Sequence, residues 1–426
     1  IEMEERAVNQ ILRDLQQEKK IYTKHAGALF SLYFYYVNRL VREEAKKKFF
    51  YTSETVIVTG WVDAARAEAF SEELRKRFSP IHVSNRPPLP GESPPVLLKN
   101  NRFVKPFELV TSFYGAPRYG YLDPTPFLAP FFALFFGICL TDAAYGIILL
   151  LGVSAAFRFM RPDMETKRAL YFFLICSFST VLCGILTGGW FGDAFQRLPF
   201  PALQKLRTAL MVLDPVKKAT QFMGFAIFLG AVQVFLGVLL RIVEDMRFRD
   251  WKSVFLKDIP SVLIQTSVFL LISGRLLKVF ALGDSMVSLL LFIFGGSLAA
   301  LVLYALVTEK SMLFKVFWAF FGVYGVLSGN SMADILSYVR LFALGLTSGL
   351  LALSINEIIF LIAKVSPWLL PLCAVLFIFL HMANLFLSVI GAFAHTCRLQ
   401  YYEFFMKFME SGGRFFRPIR IIDRTA

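Results

Sequence analysis

Eight apolar stretches dominate the chain from Phe127 onward. They cover approximately residues 127–158, 169–189, 221–243, 259–280, 286–307, 312–328, 332–363 and 368–397. A hydrocarbon core about 30 Å thick is crossed by about 20 apolar residues in a helix. The longer runs therefore predict an all-α polytopic membrane protein. Composition agrees, with 56% hydrophobic residues against roughly 45–50% in an ordinary soluble domain. A disordered, collagen-like or disulfide-framework chain is excluded, and a freely soluble enzyme is disfavoured.

Charge divides the chain. Residues 1–125 hold 19 Lys+Arg and 15 Asp+Glu; the remaining 301 residues hold 26 and 16, so the net +14 splits into +4 and +10. A basic excess among membrane segments points to cytoplasmic loops, not to nucleic acid. The five cysteines (Cys139, Cys176, Cys183, Cys373, Cys397) lie in or beside apolar runs without a CxxC spacing and read as small core residues.

The chain opens at Ile1 in a charged stretch with helical periodicity and no signal-peptide pattern. It is expected to be the later part of a longer protein. Ile11, Leu15, Tyr22, Leu29, Tyr33, Tyr36 and Leu40 recur at three-four spacing over 1–50, as a coiled-coil arm or a plain amphipathic helix would show. Residues 55–62 read as a strand, 64–78 as a charged helix, and the proline-rich 86–106 as a linker. The expected division is a small cytoplasmic coiled-coil/α+β segment over 1–105 and a membrane domain over 106–426.

The first apolar stretch is interrupted by Thr141-Asp142-Ala-Ala-Tyr-Gly146. It is either one span or two short helices forming a hairpin. Basic connections fall at Arg158–Arg168, Arg241–Lys257, Thr308–Lys315 and from Lys407 to Arg424. With a hairpin, and with 312–328 at the interface, all four share the side of the N-terminal segment, as the positive-inside bias requires. That arrangement gives eight transmembrane helices with both ends in the cytoplasm. The loop 190–220 opposes it, carrying Arg197, Lys205, Arg207, Lys217 and Lys218 on the other side.

Two arginines lie in the last apolar runs: Arg340 in Ser337-Tyr-Val-Arg-Leu-Phe-Ala-Leu-Gly345, and Arg398 in His395-Thr-Cys-Arg-Leu-Gln-Tyr-Tyr-Glu403. A charge within the bilayer costs at least about 2.5–3.5 kcal/mol. The two runs meet at a short turn near Pro367 and must be antiparallel. Arg340 precedes Lys364 by 24 residues and Arg398 follows Pro371 by 27. At about 1.5 Å per residue the two sit within about 5 Å of one level, so they can act on one object. Ser337, Thr347 and Ser348 share the face of Arg340; Asn384, Gly391 and His395 share that of Arg398. Either both arginines snorkel to headgroups, or the two helices are strongly tilted and the charges are buried for a purpose.

Other membrane polars are read in pairs of alternatives. Asp142 and Asp193 adjoin helix ends or breaks and serve as caps or in transport. Glu357 lies inside its apolar run with Asn356 beside it. His381 and His395 are proton relays or packing residues. The sequence has no GxxxxGK[ST], HExxH or GxSxG pattern and no metal-spaced Cys/His cluster. No catalytic residue, metal or cofactor is expected.

The stretch Pro106-Phe-Glu-Leu-Val to Tyr114-Gly, with Asp123-Pro-Thr-Pro126 and Phe136-Gly-Ile-Cys-Leu-Thr-Asp142-Ala-Ala-Tyr-Gly146, resembles the first membrane segment of subunit a (subunit I) of V-type and A-type rotary ATPases. The Arg340 segment resembles that family's penultimate-helix motif. His395 to Phe408, followed by Gly412-Gly413 and Pro418, resembles its last-helix motif. The short loops resemble the prokaryotic form, and Ala144 stands where many relatives carry Gly. The family's N-terminal arm is much longer than 1–105, so most of it is missing from this sequence.

The resemblance implies a membrane stator beside a rotating ring of c (proteolipid) subunits, with two offset half-channels leading to opposite sides. Arg340 would face the ring carboxylates and Arg398 assist it; Glu403 would contact the ring or line the cytoplasmic access path. Asp142, Asp334, Glu357, Asn384, His381 and His395 are half-channel candidates. Implied partners are the c-ring, a central-stalk subunit, peripheral stalks meeting the N-terminal arm, and lipid of a prokaryotic plasma membrane. The ion is H⁺ or Na⁺. Two rivals remain: a secondary transporter whose arginines bind an anionic substrate, for which no matching broken repeat is seen, and a non-conducting membrane scaffold.

Overall fold

In the computed structural model, residues 2–89, 91–160, 162–197, 201–271, 274–275, 281, 283–308, 311–312, 314–317, 320–321 and 330–419 are described. Most of the 312–328 stretch, expected at the interface, and the tail beyond 419 lie outside them. The chain forms two units, 1–97 with 415–426, and 98–414.

In the first unit α1 covers Glu2–Lys46. The strands β1 (Phe50–Tyr51) and β2 (Val56–Ile57) pair antiparallel, and α2 covers Ala67–Arg77. The strand expected over 55–62 thus shrinks to two residues: Val58, Trp61 and Val62 stay exposed, with no apolar face to cover. Within 86–97, Arg86 grips Glu92 at 2.9 and 2.7 Å, and with the Leu89 amide it holds that carboxyl down at about 2.

The second unit is helical. After α3 (Glu108–Tyr114) and β3 (Ala116–Pro117) come α4 (Thr125–Leu140), α5 (Ala143–Phe159) and α6 (Met164–Thr187). The short α7 (Ala194–Arg197) and α8 (Pro201–Leu210) precede α9 (Ala219–Arg247), α10 (Trp251–Leu271) and α11 (Asp284–Thr308). Then follow α12 (Asn330–Ser337), α13 (Val339–Val365), α14 (Leu370–Arg398), α15 (Met406–Phe408) and β4 (Ser411–Gly413), which pairs with β3.

Among the described residues, six helical segments are long and apolar enough to cross a membrane: 164–187, 219–247, 251–271, 284–308, 333–365 and 370–408. The protein is an integral membrane protein. The helices α4 and α5 are apolar but only 16 and 17 residues long, about 25 Å each.

Neighbours of α6 show how the first apolar stretch runs. Phe132 packs on Phe172, and a Cβ on Gly137 would meet Cys183 and Ser179 at 2.8–2.9 Å, so α4 runs parallel to α6. Gly146 abuts Val181 while Phe157 packs on Tyr171, so α5 runs back. The chain therefore reverses at Thr141–Asp142, with α6 flanked by both arms. Thr141 takes a left-handed conformation (φ 49°), unusual for a β-branched residue. Its carbonyl accepts from Thr187 Oγ1 (3.0 Å), and its own Oγ1 donates to the Gly345 carbonyl (2.9 Å). The helices α6 and α13 thereby hold the reversal in place.

The core is aromatic. Phe107, Phe132 and Phe172 pack mutually with centroids 5.2–6.1 Å apart, and Phe393 joins them from α14. The helix α4 sits against α6, α13 and α14. Small residues permit that closeness: a Cβ on Gly345 would lie 2.6 Å from the Ile138 carbonyl.

Candidate functional site

Two buried polar clusters lie along α13 and α14. The first gathers around Arg340. Helical hydrogen bonding is tightened at Tyr338, where the Tyr338 amide donates to the Ile335 carbonyl (3.2 Å) and Leu341 to that of Tyr338 (2.9 Å). The Tyr338 ring lies against Gly230 of α9, where a Cβ would overlap it. Its hydroxyl donates to Gln233 Oε1 (2.7 Å), and Gln233 Nε2 donates to Gln400 Oε1 (2.7 Å).

Arg340 follows two residues after this wedge. Across from it, α14 widens into a π turn over Leu399–Phe405, which turns Gln400 and Glu403 inward. Glu403 Oε1 lies 3.8 Å from Arg340 Nη1; the two side chains are 5% and 23% exposed. Asp334 is paired with Lys407. Arg340 Nη1, Glu403 Oε2, Gln400 Nε2 and Thr396 Oγ1 are buried without a hydrogen-bond partner among the described residues. His395 lies near enough to Arg340 and Arg398 to feel both charges, and Arg398 itself is exposed.

The second cluster lies toward the other ends of these helices. Asn356 Nδ2 donates to the Phe191 carbonyl (2.6 Å) and to Asp193 Oδ1 (2.9 Å). Its amide oxygen therefore faces His381 Nε2 at 3.0 Å, and that nitrogen must carry the proton. His381 Nδ1 is then the acceptor for the Tyr145 hydroxyl at 2.7 Å. Asn384 Nδ2 donates to the same hydroxyl oxygen at 2.9 Å. Every bond points one way, from Asn384 through Tyr145, His381 and Asn356 to the Asp193 carboxylate. Arg197 Nε meets Asp193 at 2.8 Å and also pairs with Glu357, whose side chain is 70% exposed.

Asp142 adjoins the second cluster through backbone amides. It caps α5, accepting from the Tyr145 amide (3.1 Å) and the Gly192 amide (2.9 Å). Of the residues singled out from sequence, Arg340, Glu403 and Asp334 fall near one another, and Glu357, His381 and Asn384 in the second cluster. Tyr145, Tyr338, Gln233, Gln400 and Lys407 were missed. A glutamine in the middle of α9 was a readable signal; nothing in the sequence pairs Tyr145 with a histidine 236 residues later.

Comparison with known proteins covers both clusters. Residues 5–185 match the V-type ATPase 116kDa subunit family. The chain is 28% identical over 433 residues to A-type ATP synthase subunit I of Methanocaldococcus jannaschii, covering 95% of this chain and 61% of that one. The chain is a relative of the A- and V-type ATP synthase subunit I family. Subunit I of Pyrococcus horikoshii is 31% identical to this subunit I relative over 380 residues (86% and 54% of the two chains). The V-type ATP synthase subunit I 1 of Treponema pallidum is 28% identical over 359 residues (82% and 55%). The chain spans little more than half the length of these curated relatives.

Proposed function

We propose that this chain is the ion-translocating membrane stator of a rotary V/A-type ATPase. It holds two half-channels against a ring of c subunits and couples H⁺ or Na⁺ movement to ATP hydrolysis or synthesis performed by other subunits. It is not catalytic by itself. The ring, a central-stalk subunit and peripheral stalks reached through the N-terminal arm are its partners. The membrane is the prokaryotic plasma membrane, crossed eight times, with both termini cytoplasmic.

One observation carries the reading: a guanidinium in an apolar helix keeps a buried N–H group, Nη1 of Arg340, without a hydrogen bond to any described residue. An arginine cannot shed its charge there. It lowers the pKa of a passing carboxylate, so that the ion leaves at this point, and it blocks direct leakage between the half-channels. Attraction at about 4 Å is of order 4 kcal/mol at an effective dielectric of 20, enough to favour release yet weak enough for rotation to break.

In this reading Asp334 and Glu403 belong to the cytoplasmic access path and Glu357, His381 and Asn384 to the other. Since a carboxamide hands on no proton, Asn356 makes the second cluster a wall that water passes, not a relay. Asp142 holds the chain reversal, and His395 feels the charge of both arginines. The test is R340A in the reconstituted complex: ATP-driven ion uptake is expected to vanish, and normal coupled pumping would remove the reading.

A further inference from the structure

The Arg340–Glu403 pair is incomplete. A charge-assisted hydrogen bond closes to about 2.7–2.9 Å, whereas Nη1 and Oε1 stand 3.8 Å apart. Nη1 and Oε2 make no hydrogen bond with any described residue. Of the described neighbouring groups only the Ser337 hydroxyl also comes within reach of the Glu403 carboxylate; the others are engaged elsewhere. Lys407 holds Asp334, the Ser337 hydroxyl donates to the Ala333 carbonyl at 2.9 Å, and Gln400 Oε1 accepts from Gln233.

Burying charges is costly, and an ion pair kept only for stability gains most by closing to hydrogen-bond distance. Here the pair stands open, on two backbones that are each held in place. Arg340 is set by the Tyr338 ring wedged at Gly230, and Glu403 by the π turn, whose Gln400 is tied to Gln233 of α9. The carboxylate is nearly covered while the guanidinium keeps an outward edge.

We propose that Glu403 is the resident counter-ion of Arg340: it carries the guanidinium's charge between visits of a carboxylate from a neighbouring subunit and shares that charge when one arrives. This rests on the stator reading of Arg340, and it adds a charge-balancing role to the place of Glu403 on the access path. An uncompensated arginine would hold its visitor tightly and suppress the visitor's reprotonation. The nearby anion weakens that hold and lets the visitor take up its proton on leaving.

The test follows ATP-driven proton uptake against pH in the reconstituted complex, with subunit content checked for each variant. E403Q should slow turnover about tenfold and move the pH optimum about one unit toward acid. E403D keeps the charge one methylene farther away and should give a smaller acid shift. An unmoved optimum in E403Q overturns the proposal even if turnover falls, since a structural role alone predicts that result. Should E403Q fail to assemble, E403D decides, and no acid shift there overturns it. A dead R340A beside an E403Q of wild-type rate and optimum sinks this inference alone; a normally pumping R340A sinks the stator reading itself.

Discussion

The two polar clusters on α13 and α14 are built on opposite principles. Around His381 the donors and acceptors are matched in one closed, one-directional chain from Asn384 to Asp193. Around Arg340 four buried polar atoms have no hydrogen bond among the described residues, and the central ion pair stands open. A matched network rigidifies, because each member would leave a costly unpaired group if it moved. An open one can change partners at little cost. A site that must accept and release a charge repeatedly needs the second kind, carried on a frame of the first.

Substitutions can break that contrast. The largest effect is expected from R340A, which should lower ATP-driven uptake by at least about two orders of magnitude, since the lost attraction is of order 4 kcal/mol. Thermal unfolding of the complex should move less, because the buried Glu403 can take up a proton once its counter-charge is gone. At the matched cluster the pattern should invert. N356A strips partners from Asp193, the Phe191 carbonyl and His381 and should cost about 3 kcal/mol, as unpaired buried groups do, seen as a lower melting temperature in lipid nanodiscs. G230A bridges the two regions: its methyl must displace the Tyr338 ring at about 2 kcal/mol for overpacking, with reduced pumping because Arg340 shifts. Y145F deletes only the hydroxyl between His381 and Asn384 and should cost about 1 kcal/mol, with pumping retained. E357Q, at the exposed end, should change stability by at most about 0.5 kcal/mol; a larger loss would mean that the matched cluster extends to the surface.

Long apolar runs made the membrane helices legible, and the polar break at Thr141-Asp142 marked the chain reversal before any contact was known. His381, Asn384 and Glu357 stood out because a polar group in an apolar helix is expensive. Their partners did not. Tyr145 and Tyr338 pass for membrane aromatics, and the Gln233–Gln400 link joins helices 167 residues apart in sequence. The π turn is equally hidden. It is a local widening that Leu399–Phe405 adopts through packing on α9 and α12, with no proline or glycine to announce it. Over 55–62 the β-branched run promised a longer strand than forms, since pairing needs a partner edge and a buried face, and only Phe50–Tyr51 supplies the edge.

Glycine at 230 leaves a notch that the Tyr338 ring fills from the facing helix. Sliding α12 by one turn along α9 would require the ring to climb out of that notch, as a pawl must lift to let a ratchet slip. A sideways pull on the guanidinium two residues away is therefore delivered to the body of α9, and the charge recoils very little.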